Sequence, residues 1–198
     1  MKLYILRHED RTMDLTFFSP LTKKGLEKSV DLINYLEKEK INTIYSSPYI
    51  RTLQTIYPFS KKYNLKSKID YSLTELYQED NIPKKSYQIT LPEYLAESFS
   101  YDEEYKSSLM PSDIKFPENI KSFNERIKSF LKTLIRNNYS SQKNIVLVTH
   151  QGVIDIIMRI LGKRNSELKN IVKDIKYPKG SLTRILDNGV WEFKKINW

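Results

Sequence analysis

Residues Asn144 to Val148 form an apolar, largely β-branched run. It passes through Thr149-His150-Gln151-Gly152 straight into Val153, Ile154, Ile157, Ile160 and Leu161, which recur at helical spacing and stop near Gly162. A strand with no polar face has to be buried on both sides, so the chain around it must supply cover for two faces of a sheet. The rest of the sequence offers that cover. Lys2 to Leu6 reads as a short buried strand. Thr22 to Lys40 reads as an amphipathic helix, with Thr22 as N-cap and Leu26, Val30, Ile33 and Leu36 as its apolar face. Ile41 to Tyr45 reads as a second strand, stopped at Ser46-Ser47-Pro48. A helix follows from about Tyr49 towards Tyr63, with a strain or break expected at Pro58.

Lys68 to Leu73 has the character of a third short strand. Ile120, Phe123, Ile127, Phe130, Leu134 and Ile135 mark a long amphipathic helix, and Asn165 is placed to cap a further short one. Ser181 to Leu186 and Val190 to Ile196 flank Asp187-Asn188-Gly189, a hairpin turn signal. Strands alternating with helices predict a three-layer α/β/α sandwich with a mostly parallel central sheet, to which the hairpin adds one antiparallel edge strand.

Residues 76–117 break this rhythm. They lose clear periodicity and hold four of the eight prolines, and the stretch from Glu79 to Glu118 carries nine acidic against four basic side chains in a chain whose net charge is +9. The expectation is a single domain over 1–198 with an insertion at 76–117, rich in aromatics and lid-like. The basic remainder suits an anionic small molecule, although many of its lysines serve to solvate helix faces.

Scarcity narrows the chemistry. Without cysteine there is no disulfide, zinc-thiolate site, iron–sulfur cluster or thiol nucleophile. Two histidines, His8 and His150, stand too far apart for the helical two-histidine zinc motif, and neither phosphate-loop nor dinucleotide glycine pattern is present. No signal peptide or span is visible, since the apolar start Leu3-Tyr4-Ile5-Leu6 stops at Arg7; a cytoplasmic protein is expected, with no membrane partner.

Polar clusters follow three of the expected strands: Arg7-His8, then Ser47 with Arg51, then Thr149-His150. Ligands of open α/β sheets bind at the carboxyl ends of strands, so these clusters converge if the strands are neighbours. Guanidinium forks match phosphate oxygens, the helix after His150 offers free N–H groups, and a neutral imidazole is a nucleophile toward phosphorus. The set suits a tetrahedral dianion. It needs no metal and no cofactor, because the fixed cations stabilise the transferring charge.

Leu6-Arg7-His8-Glu9, Leu21-Thr22-Lys23-Lys24-Gly25, Ser46-Ser47-Pro48-Tyr49-Ile50-Arg51-Thr52-Leu53-Gln54-Thr55, Leu73-Thr74-Glu75 and Val148-Thr149-His150-Gln151-Gly152 resemble, in order, the motif series of the histidine phosphatase superfamily, the phosphoglycerate-mutase-like group. The tail from Tyr177-Pro178-Lys179-Gly180-Ser181 to Trp191 resembles its closing strands. The resemblance implies a histidine acid phosphatase-like phosphomonoesterase. His8 would be the nucleophile, forming a phosphohistidine. Arg7 and Arg51 would hold the phosphoryl oxygens, with His150 as the second histidine of that pocket. Glu75 would be the proton donor, with Glu79 and Asp80 as nearby rivals.

Two positions depart from the pattern. Glu9 stands where the family usually has glycine, either pointing away or adding negative charge to the pocket. Gln151 stands where small residues are common. Arg11, three residues after His8, matches an arginine that one branch of the family uses at the phosphate; the other reading is an exposed loop arginine. Expected substrates are a phosphorylated small molecule or a phosphoprotein. Phosphoglycerate-mutase-type transfer and a noncatalytic phospho-ligand binding module are the alternatives, and no recognition motif supports nucleic acid.

Overall fold

The computed structural model describes the backbone of residues 1–14, 16–78, 90–162, 179–187 and 190–196, and the side chains of these except 162, 186–187 and 190–196. Six strands form one sheet: β1 (Lys2–Arg7), β2 (Thr43–Ser46), β3 (Ser67–Ile69), β4 (Asn144–Thr149), β5 (Leu182–Asp187) and β6 (Val190–Ile196), in the order β3-β2-β4-β1-β5-β6. β3, β2, β4 and β1 pair in parallel. β5 pairs antiparallel to β1, and β6 pairs antiparallel to β5 outside it, so β5 is the reversed strand and lies one in from the edge. The hairpin expected at the end of the chain therefore forms, although Asn188-Gly189 of its turn lie outside the described residues, as does the cap expected at Asn165.

Side-chain alternation along the strands sorts the helices onto two faces. Leu3, Ile5, Ile145 and Leu147 point into one core, with Phe123, Ile127, Phe130 and Leu134 of α4 (Ile120–Asn138) and Val153, Ile154 and Ile157 of α5 (Gln151–Gly162). Tyr4, Leu6, Ile44, Val146 and Val148 point into the other, with Leu32 and Leu36 of α1 (Lys23–Lys38) and Ile56 and Phe59 of α2 (Ile50–Lys62). The three layers are those the alternation of patterns predicts. No helix among the described residues is long and apolar enough to cross a membrane.

Several local expectations are corrected. α2 runs unbroken through Pro58. One lost hydrogen bond and the ring clash cost about 3 kcal/mol, and burial of Ile56 and Phe59 on either side of the proline offsets that. The third strand is only Ser67–Ile69. Asp70 then accepts from the Ser72 N–H (2.8 Å) and turns the chain into a 3-10 turn at Tyr71–Leu73, the local competition with regular structure that aspartate often provides.

On α1, Thr22 caps as expected, accepting from the Gly25 N–H (3.1 Å), but the buried face is Gly25, Ser29, Leu32 and Leu36. Leu26 and Val30 are exposed. At Gly25 the Asp10 backbone crosses the helix and leaves no room for a side chain.

Of the expected insertion, the described residues 90–117 pack beside β3, with Tyr101 bridging to Ser67 and Lys68 donating to Asp102. They include a short helix, α3 (Glu93–Glu97), and a 3-10 turn at Pro111–Asp113. The buried Asp70 carboxylate accepts from Tyr105 Oη (2.6 Å) and from the Ser108 N–H (3.1 Å), which staples the segment to the sheet. Ile114, Leu91, Leu109 and Phe116 join Phe17, Tyr49 and Tyr77 in a third apolar cluster.

Candidate active site

The carboxyl ends of β1, β2 and β4 lie side by side because β4 pairs with both of the others. Backbone bonds continue the register past the strands: the His8 N–H donates to the Thr149 carbonyl and the Ser47 N–H to the Val148 carbonyl, each at 3.0 Å. The two histidines, 142 positions apart in sequence, consequently meet edge to face with ring centroids 5.3 Å apart. A cavity of about 90 Å³ opens over them, lined by Arg7, His8, Arg11, Arg51, Glu75, Gln151 and Lys179. Among the described residues given a catalytic or phosphate-holding role from the sequence, only His150 is absent from that lining. It lies against the His8 ring, almost fully buried, with its own ring 4.8 Å from that of Tyr49.

His8 is oriented by its neighbour. Its Nδ1 lies 2.7 Å from the Glu9 carbonyl oxygen, which can only accept, so the ring proton sits on Nδ1 and Nε2 keeps its lone pair. Burial, then the Arg51 charge, lowers the His8 pKa to about 3, so the imidazole is neutral around pH 7. Burial also drives His150 well below the ordinary histidine value. Arg51 stacks on the Tyr49 ring at 4.4 Å and donates to the Thr16 carbonyl (2.9 Å); burial lowers its pKa to about 10, which leaves it charged at neutral pH.

Glu75 faces this positive group across the cavity. Burial raises its pKa, against the opposing pull of the Leu76 and Gly152 N–H groups and of Arg51. The carboxyl is therefore biased toward the acid form that a proton donor needs. Its backbone is held from below. Arg126 of α4 donates to the carbonyls of Ser72 (2.7 Å), Thr74 (3.1 Å) and Glu75 (3.1 Å), and forms a two-pronged ion pair with Glu118 at 2.7 and 2.9 Å. Gly152 approaches so closely that a Cβ there would lie 2.3 Å from Glu75 Oε1. The alternative donors, Glu79 and Asp80, lie outside the described residues. Among the described residues no three His, Cys, Asp or Glu side chains gather as a metal site requires.

The family model of the histidine phosphatase superfamily (branch 1) matches residues 6–198. The chain belongs to this superfamily. Membership supports phosphatase or phosphoryl-transfer chemistry at the cavity. Among its relatives is a Hydrogenobacter thermophilus protein named Putative phosphoserine phosphatase 2. It is 25% identical over 174 residues, which is 81% of this chain and 78% of that protein. The ecdysone phosphate phosphatase of Bombix mori, solved with tungstate, has the same fold, with a TM-score of 0.73 at 13% identity over 99% of this chain and 92% of that one. The alpha-ribazole phosphatase of Shigella flexneri gives 0.68 at 19% identity over 100% and 96%.

Against the superfamily pattern, Glu9 resolves to one of its two readings: its carboxyl is buried and turned away from the cavity. It lies beneath Gly180, whose φ is +76° and where a Cβ would sit 2.0 Å from Glu9 Oε1. Residue 180 thus has two reasons to lack a side chain. Gln151 lines the cavity and is steadied by its bond to Asp155 (2.8 Å). Arg11 also lines the cavity, while its Nη1 donates to the Thr12 carbonyl (2.7 Å).

Sequence reading assigned no role to Arg126, Lys179, Tyr49 or Gly152. The signal for Arg126 is an arginine on the apolar face of its helix, between Phe123 and Phe130. Lys179 reaches the cavity rim by pairing with Asp10 of the loop after β1, a contact no sequence pattern marks.

Proposed function

We propose that this protein is a metal-independent phosphomonoesterase that works through phospho-His8. The observation that carries the reading is the Nδ1–Glu9 bond, which leaves the Nε2 lone pair of a neutral ring at a cavity shared by three guanidiniums and one carboxyl. Arg7, Arg51 and Arg11 bind the three non-bridging phosphoryl oxygens. Nε2 attacks phosphorus in line, the P–O ester bond breaks, and Glu75 gives its proton to the departing oxygen. Carboxylate Glu75 then takes a proton from water as the water attacks phospho-His8. Phosphate leaves and both side chains return to their starting states. The transferring charge is held by fixed cations, whose placement needs no reorganisation during the step.

The relatives named for phosphoserine, ecdysone phosphate and alpha-ribazole phosphate differ in everything but the phosphoryl end. That fits a small cation-lined cavity which reads phosphate and leaves the alcohol to its surroundings. Segment 90–117 packs beside Arg51 and His150 through the Phe17–Tyr49–Tyr77 cluster, which supports a part in shaping access for a phosphorylated small molecule or phosphoprotein.

The test uses para-nitrophenyl phosphate. Wild type is expected to release phosphate and to yield an acid-labile, base-stable phosphoenzyme on rapid quench. His8→Ala should lose both, and Glu75→Gln should slow turnover by about a hundredfold or more. Equal turnover by wild type and His8→Ala would remove His8 from the mechanism. Phosphate exchange between phosphoglycerate isomers without release would mark a mutase, and phosphate binding without turnover a binding module.

A further inference from the structure

The hydroxyl of Ser47 lies 2.9 Å from His150 Nε2, with both residues buried. A hydroxyl has one proton to give. Among the described residues the other hydrogen-bond neighbour of Ser47 Oγ is the Tyr49 N–H at 3.5 Å, which is itself a donor. Among them the Ser47 proton therefore has one acceptor, His150 Nε2. An imidazole nitrogen that accepts carries no proton. The ring is neutral, because burial and the neighbouring Arg51 oppose a second proton, so its single proton belongs on Nδ1. Nδ1 is buried and has no partner among the described residues. A buried N–H donor without an acceptor is costly, and beside the cavity a bound oxyanion is one partner that would satisfy it.

We propose that Ser47 is a positioning residue that locks His150 in its Nδ1–H tautomer, so that a neutral histidine presents an N–H donor to the transferring phosphoryl group. The proposal rests on the phosphoryl-transfer reading for what the N–H is aimed at, but not for the tautomer. Both rings in the site then protonate the same atom for different reasons. His8 donates from Nδ1 to the Glu9 carbonyl and keeps Nε2 for attack. His150 accepts at Nε2 from Ser47 and keeps Nδ1–H for an oxyanion. A neutral donor binds the oxyanion without a proton equilibrium of its own near pH 7.

The chain has only two histidines, so imidazole nitrogen NMR is assignable with one variant, His8→Ala, which leaves His150 alone. In ¹⁵N-labelled protein, His150 is expected to show a protonated-type Nδ1 and a lone-pair-type Nε2, unchanged between pH 6 and pH 8. Adding orthovanadate should perturb Nδ1 more than Nε2. Ser47→Ala should release the tautomer toward Nε2–H and lower kcat about tenfold with a smaller change in KM; Ser47→Thr, which keeps the hydroxyl, should restore both.

A protonated Nε2 in wild type overturns the proposal, as does a tautomer that ignores Ser47→Ala. The wild-type spectrum decides even if Ser47→Ala fails to fold. A locked tautomer in a protein that never turns over an aryl phosphate would instead count against the phosphatase reading and leave the Ser47 assignment standing.

Discussion

Glu9 sits one residue from the proposed nucleophile with its carboxyl buried, and its pKa is raised to about 7, first by burial and against the pull of Lys28. The native protein therefore holds a proton that the unfolded chain, at its ordinary value of 4.5, releases earlier. The contribution to stability is full below about pH 4.5 and is lost as pH rises through about 7. Glu9→Gln keeps the shape and removes the titration. It should melt close to wild type at pH 5 and higher than wild type at pH 8, by on the order of 5 °C, in thermal scans across pH. An equal difference at both pH values would show that Glu9 does not titrate in this window. The identity of residue 9 was plain in the sequence. Its direction was not, because that depends on the bare Gly180 backbone, contributed from the far end of the chain.

At the scale of elements, α4 does two jobs. Its apolar face was legible from spacing alone: Phe123, Ile127, Phe130 and Leu134 are buried as the pattern predicts. The arginine set into that face was legible as a residue but not as a support. Arg126 satisfies Glu118 and three carbonyls of the turn that carries Glu75. Arg126→Met leaves the Glu118 carboxylate buried and unpaired, and should cost about 3–5 kcal/mol in urea unfolding. Arg126→Met with Glu118→Met should recover much of that stability while leaving turnover impaired, because the Glu75 carbonyl is still released. A loss under about 1 kcal/mol for the single variant would contradict this role. In α1 the buried stripe runs one residue away from the largest apolar side chains of its first half, with the Asp10 backbone crossing at Gly25. Leu26 and Val30 remain at the surface while Gly25 and Ser29 go in.

For the molecule as a whole, the net charge of +9 and the cationic cavity act in the same sense on an anionic substrate. Between about 0.01 M and 0.15 M ionic strength the screening length falls from about 30 Å to about 8 Å. With a dianionic aryl phosphate, kcat/KM should drop several-fold over that range while kcat changes little, since steering acts on encounter. A kcat/KM indifferent to salt would show that the basic body serves only to solvate helices. By itself the sequence determined the layers and narrowed the proposed chemistry: apolar strands require cover on both faces, and a chain with no cysteine and two histidines has few ways to handle phosphate. Tertiary structure alone decided the site's internal geometry. Which nitrogen of His150 is free, where Glu9 turns, and what steadies Glu75 all depend on contacts between residues tens to more than a hundred positions apart, and strand pairing, not local pattern, brings such residues within hydrogen-bonding distance.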